Sequence, residues 1–210
     1  EHYINKPYGD AWKLMRDLAY KHHPYRWMTI GLELSHIEKA QLEDVKRFFF
    51  KHYTPVNAIL VVAGNVYLDQ VRHLAEKWFG GIAPGEKYHR NLPVEPEQGE
   101  PRRQVVKAKV PLDAFYKTWH MSARMDQRYY VADLIGDMLG GGGSSRLFQS
   151  LVKEKKLFSK IDCYHFGSLD NGLFSIEGKL VNGVDINEAE AAADAELEKM
   201  NTSPVEEHES

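Results

Sequence analysis

Four consecutive glycines, Gly140 to Gly143, lie between two apolar runs, Tyr129 to Leu139 and Leu147 to Leu157. Glycine has no Cβ, so such a tetrad permits a sharp reversal or a close backbone approach that other residues would block. Ser144 and Ser145 follow, and either can cap the next helix, whose free N–H groups would point back at the glycines. The stretch is therefore read as a tight turn between two helices or as a cradle for a phosphate or a peptide carbonyl. A P-loop requires a Lys-Ser/Thr pair after its last glycine, and none follows here. The tight turn is the expected role.

The chain has 210 residues, enough for one large domain or two small ones. With 43% hydrophobic and 27% charged residues, it should bury a sizeable core. A formal net charge of −3 gives no reason to expect nucleic acid as a partner. No apolar run approaches the ~20 residues of a membrane-spanning helix. The one cysteine, Cys163, cannot form an internal disulfide, and its strand-like setting suggests a buried structural thiol. The chain opens on Glu1 without methionine, and no leader is expected in its first residues. It is read as a piece of a longer protein, so the missing leader says nothing about compartment.

Hydrophobic periodicity outlines the elements. Residues 10–22 read as a helix ended by Pro24. A second helix is expected from Ile37 or Lys39 to Tyr53, a buried strand over Asn57 to Asn65, and a helix over Asp69 to Phe79. The stretch 81–103 holds Pro84, Pro93, Pro96 and Pro101 and reads as a linker. Beyond it, strands are expected over Gln104 to Val110 and Ala114 to Met121, then helices over Gln127 to Leu139 and Ser145 to Lys156. A hairpin of Phe158 to Gly167 with Gly172 to Leu180 and an Ala/Glu-rich helix complete the pattern. The fold class is α+β, with an antiparallel-rich sheet packed against helices.

A search for chemistry among the residues returns little. Ten histidines include no H-E-x-x-H, no H-x-x-E-H and no zinc-spaced Cys/His pair. His22 and His23 would point about 100° apart on a helix, which does not suit a shared metal. His120 is expected to be a hydrogen-bonded core or sheet-face histidine, and His36, near Glu38, a surface one. Glu188, Glu190, Asp194, Glu196 and Glu198 read as a solvated helix face. No nucleophile, base and oxyanion stabiliser come together.

Ordered motifs add what single residues lack. They are His23-Pro24-Tyr25, the run Phe48 to Asn65, Trp78-Phe79-Gly80, and Gly141 to Lys155 with its Ser144-Ser145-Arg146-Leu147. In this order and spacing they resemble the zinc metallopeptidases of the insulinase, pitrilysin and mitochondrial processing peptidase family, whose fold is the LuxS/processing-peptidase-like architecture. The resemblance covers nearly the whole chain. It implies a parent metalloendopeptidase with two related α+β domains that form a chamber around a peptide substrate. It also implies an inverted motif, H-x-x-E-H, whose two histidines bind zinc and whose Glu is the general base. That motif is absent here, so no zinc is expected on this chain, and no residue is assigned as catalytic or metal-ligating. The family's third ligand, a later Glu, should fall a few residues before Glu1.

On the same reading, residues 1–90 are the end of one domain, 91–103 a linker and 104–210 the start of the next. An Arg and a Tyr that contact substrate in the family fall at Val152 or Lys153 and at Ser159. Both depart from the pattern, so no substrate-binding residue is assigned. Two-chain members carry zinc on one chain and the Arg/Tyr pair on the other, which implies a partner subunit of the same family. The strand Ile59 to Ala63, cut from its own sheet, is expected to pair with the sheet of residues 104–122 and 158–180, in this chain or a second copy.

Overall fold

The structure, a computed structural model, describes residues 6–31 and 33–202. The chain divides into two compact units: the residues up to Trp27 together with those from Val94 onward, and Met28–Pro93.

The larger unit is built on a three-stranded antiparallel sheet in the order β1-β3-β2, with β1 Ala114–Met121, β2 Phe158–Phe166 and β3 Gly172–Leu180. Period-two alternation gives this sheet two different faces. One carries Phe115, Ile161, Cys163 and Ile176 into the main core. Helix α5 (Gln127–Gly140), the π-helical segment Phe148–Glu154 and helix α6 (Ile186–Thr202) close over that core with Leu139, Leu147, Leu151, Ala189 and Ala193. The other face presents Thr118, Ser175 and Leu173, and helix α1 (Ala11–Ala19) packs across it through Trp12, Ala19 and Tyr20.

Aspartates cap the starts of α5 and α6. Asp126 accepts the Arg128 N–H at the start of α5, and this bond with the Arg128 guanidinium holds its carboxyl down at about 2. Asp185 accepts from Asn187 and Glu188 at the start of α6. Cys163 is buried, and burial pushes its thiol up to about 12.

The smaller unit contains α2 (Leu34–Lys39), α3 (Leu42–His52) and α4 (Leu68–Phe79), so the single helix expected up to Tyr53 is broken at Ala40 and Gln41. Gln41 and Asp44 form a reciprocal cap at the start of α3, which explains the break. None of the described residues 28–93 is buried. Phe48, Phe79 and Trp78 are all more than half exposed, and Ile59 is 91% exposed.

Three expectations are corrected. The apolar run Asn57 to Asn65 is not a strand: it follows a 3₁₀ turn, Pro55–Asn57, as irregular chain, solvated and paired with no strand of this structure. Its apolar pattern fits a sheet interior, but a strand exists only where a neighbour supplies ladder hydrogen bonds. The same holds for Gln104 to Val110, which alternates correctly yet forms no strand, with Val105 exposed. The acidic face of α6 is not wholly solvated, because Glu196 is 4% exposed. It lies seven residues after Ala189 and three after Ala193, on the buried stripe, so helical period could have located it.

Candidate functional site

The glycine tetrad sits at the end of α5. A Cβ on Gly140 would come within 2.7 Å of the Cys163 Cα and closer still to its amide nitrogen, so the helix meets β2 at backbone distance. Gly142 has φ +117°, a conformation that a side chain disfavours, whereas Gly143 has open space around it. Ser145 does not cap the following helix as an acceptor. Its hydroxyl donates to the Gly142 carbonyl at 2.7 Å, which locks the turn. The tetrad is a close-packed reversal and not a cradle for an anion.

The two positions matched to the family's Arg and Tyr lie one turn and one strand beyond. Val152 packs against the main core. Lys153 is exposed, its ammonium 5.5 Å from the Phe148 ring centroid. Ser159 is the extra residue of a β-bulge between Phe158 and Lys160. The bulge lets Phe158 point into the core beside Phe115, leaves Ser159 exposed, and directs its hydroxyl to the Lys179 carbonyl at 3.0 Å. At these positions the chain offers one exposed ammonium and a short hydroxyl already bonded to backbone.

Among the described residues no group of three or more His, Cys, Asp or Glu is arranged to hold a metal ion. Glu1 lies outside the described residues. His23 is 4% exposed, and both its ring nitrogens are used. Nδ1 accepts the Tyr25 N–H at 3.1 Å, which assigns the ring proton to Nε2, 2.8 Å from the Asp170 carboxylate. The motif His23-Pro24-Tyr25 is thus a clamp: it caps the 3₁₀ turn Pro24–Arg26 and ties it to the β2–β3 loop. These residues do not fit a zinc site, and no hydrolytic step through zinc follows for this chain.

Two anchors fall in the stretch read as a linker. Glu95 accepts the backbone N–H groups of Lys21, His22 and His23 at 2.7–2.9 Å. Arg102 Nη1 donates to the carbonyls of Leu18 and Ala19, the last turn of α1. Composition marks 81–103 as irregular, but nothing in it marks these two residues as partners of a helix end. Desolvation pushes the Glu95 carboxyl up, yet the three backbone donors outweigh it, and its pKa lies below the ordinary value. A depressed pKa means stability that is present above the unfolded value, about 4.3, and lost as pH falls through the folded one. Glu95→Gln is expected to cost about 1 kcal/mol at pH 7, with the deficit closing below about pH 4. Chemical denaturation of both proteins across pH 3–7 checks this, and a deficit that does not vary with pH would contradict it.

A third anchor is Glu196, which accepts from Ser150 Oγ at 2.6 Å, Lys155 Nζ at 3.0 Å and Lys199 Nζ at 2.9 Å. Burial pushes this carboxyl up, but the hydroxyl and the two ammonium donors hold it below the usual range. It joins α6 to the π-helical segment and its end. Lys117 on β1 similarly meets Asp194 and Glu190 of α6, and Arg103 meets Glu190. These charges tie the layers of the larger unit together.

Comparison with known proteins gives the family and the fold. Residues 39–209 match the model of the peptidase M16 inactive domain. The chain is 31% identical over 173 residues to the zinc protease PqqE of Helicobacter pylori, covering 81% of this chain and 39% of that protein. It is 25% identical over 178 residues to the uncharacterised zinc protease YmxG of Bacillus subtilis, covering 84% of this chain and 42% of that one. The crystal structure of a protease from Helicobacter pylori superposes with a TM-score of 0.82 at 27% identity, over 99% of this chain and 51% of that chain. A peptidase M16 inactive domain from Pseudomonas fluorescens shares the fold, with a TM-score of 0.79 over 97% of this chain and 49% of that one. The chain thus spans about two fifths to one half of the length of these relatives. Its helices on an antiparallel sheet and its ordered motifs have one common account: the chain belongs to the peptidase M16 family of zinc proteases and carries that family's inactive domain.

Proposed function

We propose that this chain is the part of a zinc metalloendopeptidase that lies outside its zinc site. Residues 1–90 would end one peptidase domain, 91–103 would connect, and 104–210 would begin the inactive one. The longer protein hydrolyses peptide bonds in peptides enclosed between its two domains, and this chain alone is inactive. The match of residues 39–209 to the inactive-domain model carries the assignment to such a peptidase; it runs through 91–103, so the division there rests on the sequence pattern alone. The uncovered apolar side chains of Met28–Pro93 support it, since a monomer rarely leaves so much apolar surface in water unless something else covers it. Zinc measured after dialysis is expected far below one per chain, and stoichiometric retention would overturn the assignment. The sequence that precedes Glu1 in the longer protein should contain H-x-x-E-H.

A second reading is a non-catalytic partner or structural subunit of the same fold. Val152 packed against the core and Ser159 bonded to the Lys179 carbonyl favour it, since neither has the reach of an Arg or a Tyr, and the alternative position Lys153 offers an ammonium without the planar fork of Arg. Absence of H-x-x-E-H from the longer protein would select this second reading.

A further inference from the structure

Buried polar atoms without partners are few in native proteins, and each asks for a reason. Among the described side chains there are three: Tyr116 Oη, His120 Nε2 and Ser175 Oγ. All three belong to the face of the sheet covered by α1, where Thr118 pairs with Ser175 and His120 with Leu173 across β1 and β3. His120 opens onto a cavity at the end of α1, lined also by Leu18, Gln98, Arg102 and Thr118. The volume open to the centre of a water is about 40 Å³, where one water needs about 10–15 Å³. By this measure the cavity takes about three or four waters or one ion of acetate or phosphate size, and no nucleotide.

We propose that this cavity binds a small oxyanion. Its polar lining residues, Arg102, Thr118, Gln98 and His120, are all of types that can donate a hydrogen bond. Nη1 of Arg102 is spent on the carbonyls of Leu18 and Ala19, while its Nε and Nη2 have no partner among the described residues. That leaves one edge of the planar fork for a carboxylate or phosphate. Leu18, Ala19 and Leu173 supply an apolar wall on one side. Glu95 opposes an anion, since it lies near enough to feel the charge of His120. Both its oxygens are already bonded to the amides of residues 21–23, so it cannot itself take these donors' place as the ligand. The site stands on the cavity alone and is independent of the peptidase reading.

Two sources supply such an oxyanion, the free ion and the C-terminal carboxylate of a peptide. The test titrates the 210-residue chain, at constant ionic strength, with sodium phosphate, with trialanine and with trialanine amide. The backbone amide resonances of residues 118–121 report binding, and the rest of the spectrum reports the fold. Saturable shifts are expected with phosphate, with trialanine or with both, and none with the amide. Thr118→Val and His120→Gln should each weaken binding by about tenfold while leaving the other resonances in place. Arg102→Gln should weaken it more, but it also removes bonds to α1, so Thr118→Val is the deciding variant. Saturation by phosphate alone identifies a free-ion site, and saturation by trialanine identifies a peptide-terminus site. The proposal is overturned if neither saturates, if the amide binds as well as the acid, or if Thr118→Val and His120→Gln both bind like the parent chain.

Discussion

Gly140→Ala is expected to destabilise the larger unit by about 3 kcal/mol or more, while Gly143→Ala, three residues along the same tetrad, should change it by less than about 1 kcal/mol. The difference lies in what each glycine faces. A methyl group on Gly140 would overlap the backbone of Cys163, and backbone in a paired strand cannot swing aside as a side chain can. Relief would require α5 to lift from β2, opening the core around Leu139 and Ile161. A methyl on Gly143 meets nothing within 4 Å. Gly142 presents a third case, since its φ of +117° penalises any side chain although space is open there. Denaturant midpoints for the two alanine variants test the contrast, and equal midpoints would show that the close approach of α5 to β2 carries no energetic weight.

Phe158→Ala should cost about 3–5 kcal/mol, whereas Phe48→Ala should cost less than about 1 kcal/mol in the same chain. Phe158 is 1% exposed, with its ring 5.5 Å from that of Phe115, and it enters the core only because the bulge at Ser159 turns it inward. Its loss leaves a void that neither Gly178 nor the neighbouring strand can fill. Phe48 is 59% exposed, so truncation removes little that is buried. Native-state hydrogen exchange of β2 and β3 separates the two: protection should fall sharply for Phe158→Ala and stay unchanged for Phe48→Ala. If Phe48→Ala lowered stability as much as Phe158→Ala, the smaller unit would have to bury its apolar face in solution, as a second copy could allow.

Much of the larger unit is legible in the sequence. Alternation over Ala114 to Met121, turn residues between Phe158 and Leu180, and helical period after Asp126 and Asp185 each name an element that the structure contains. In these cases the residues supply both the pattern and, nearby in the chain, the partner that pattern needs. The failures share one cause. Asn57 to Asn65 and Gln104 to Val110 have strand composition, but no strand of this structure pairs with them, and composition cannot report an absent neighbour. The anchors Glu95 and Arg102 were hidden for a related reason: they act on α1 and the residues just after it, more than seventy residues away in sequence, through backbone groups that carry no sequence signature.

The functional reading divides along the same line. The ordered motifs alone identify the family and place this chain outside its zinc motif, because family membership is written in the order and spacing of residues. Only the three-dimensional arrangement shows that His23 is a clamp between the Tyr25 amide and Asp170, that Val152 packs against the core, and that Ser159 is turned to solvent by a bulge. It also brings Arg102, Thr118 and His120 around one cavity. Side-chain type sets what a residue can bond, and local pattern sets the helix or strand that holds it. Which groups it meets depends on how layers stack over long sequence distances, and that is decided by packing.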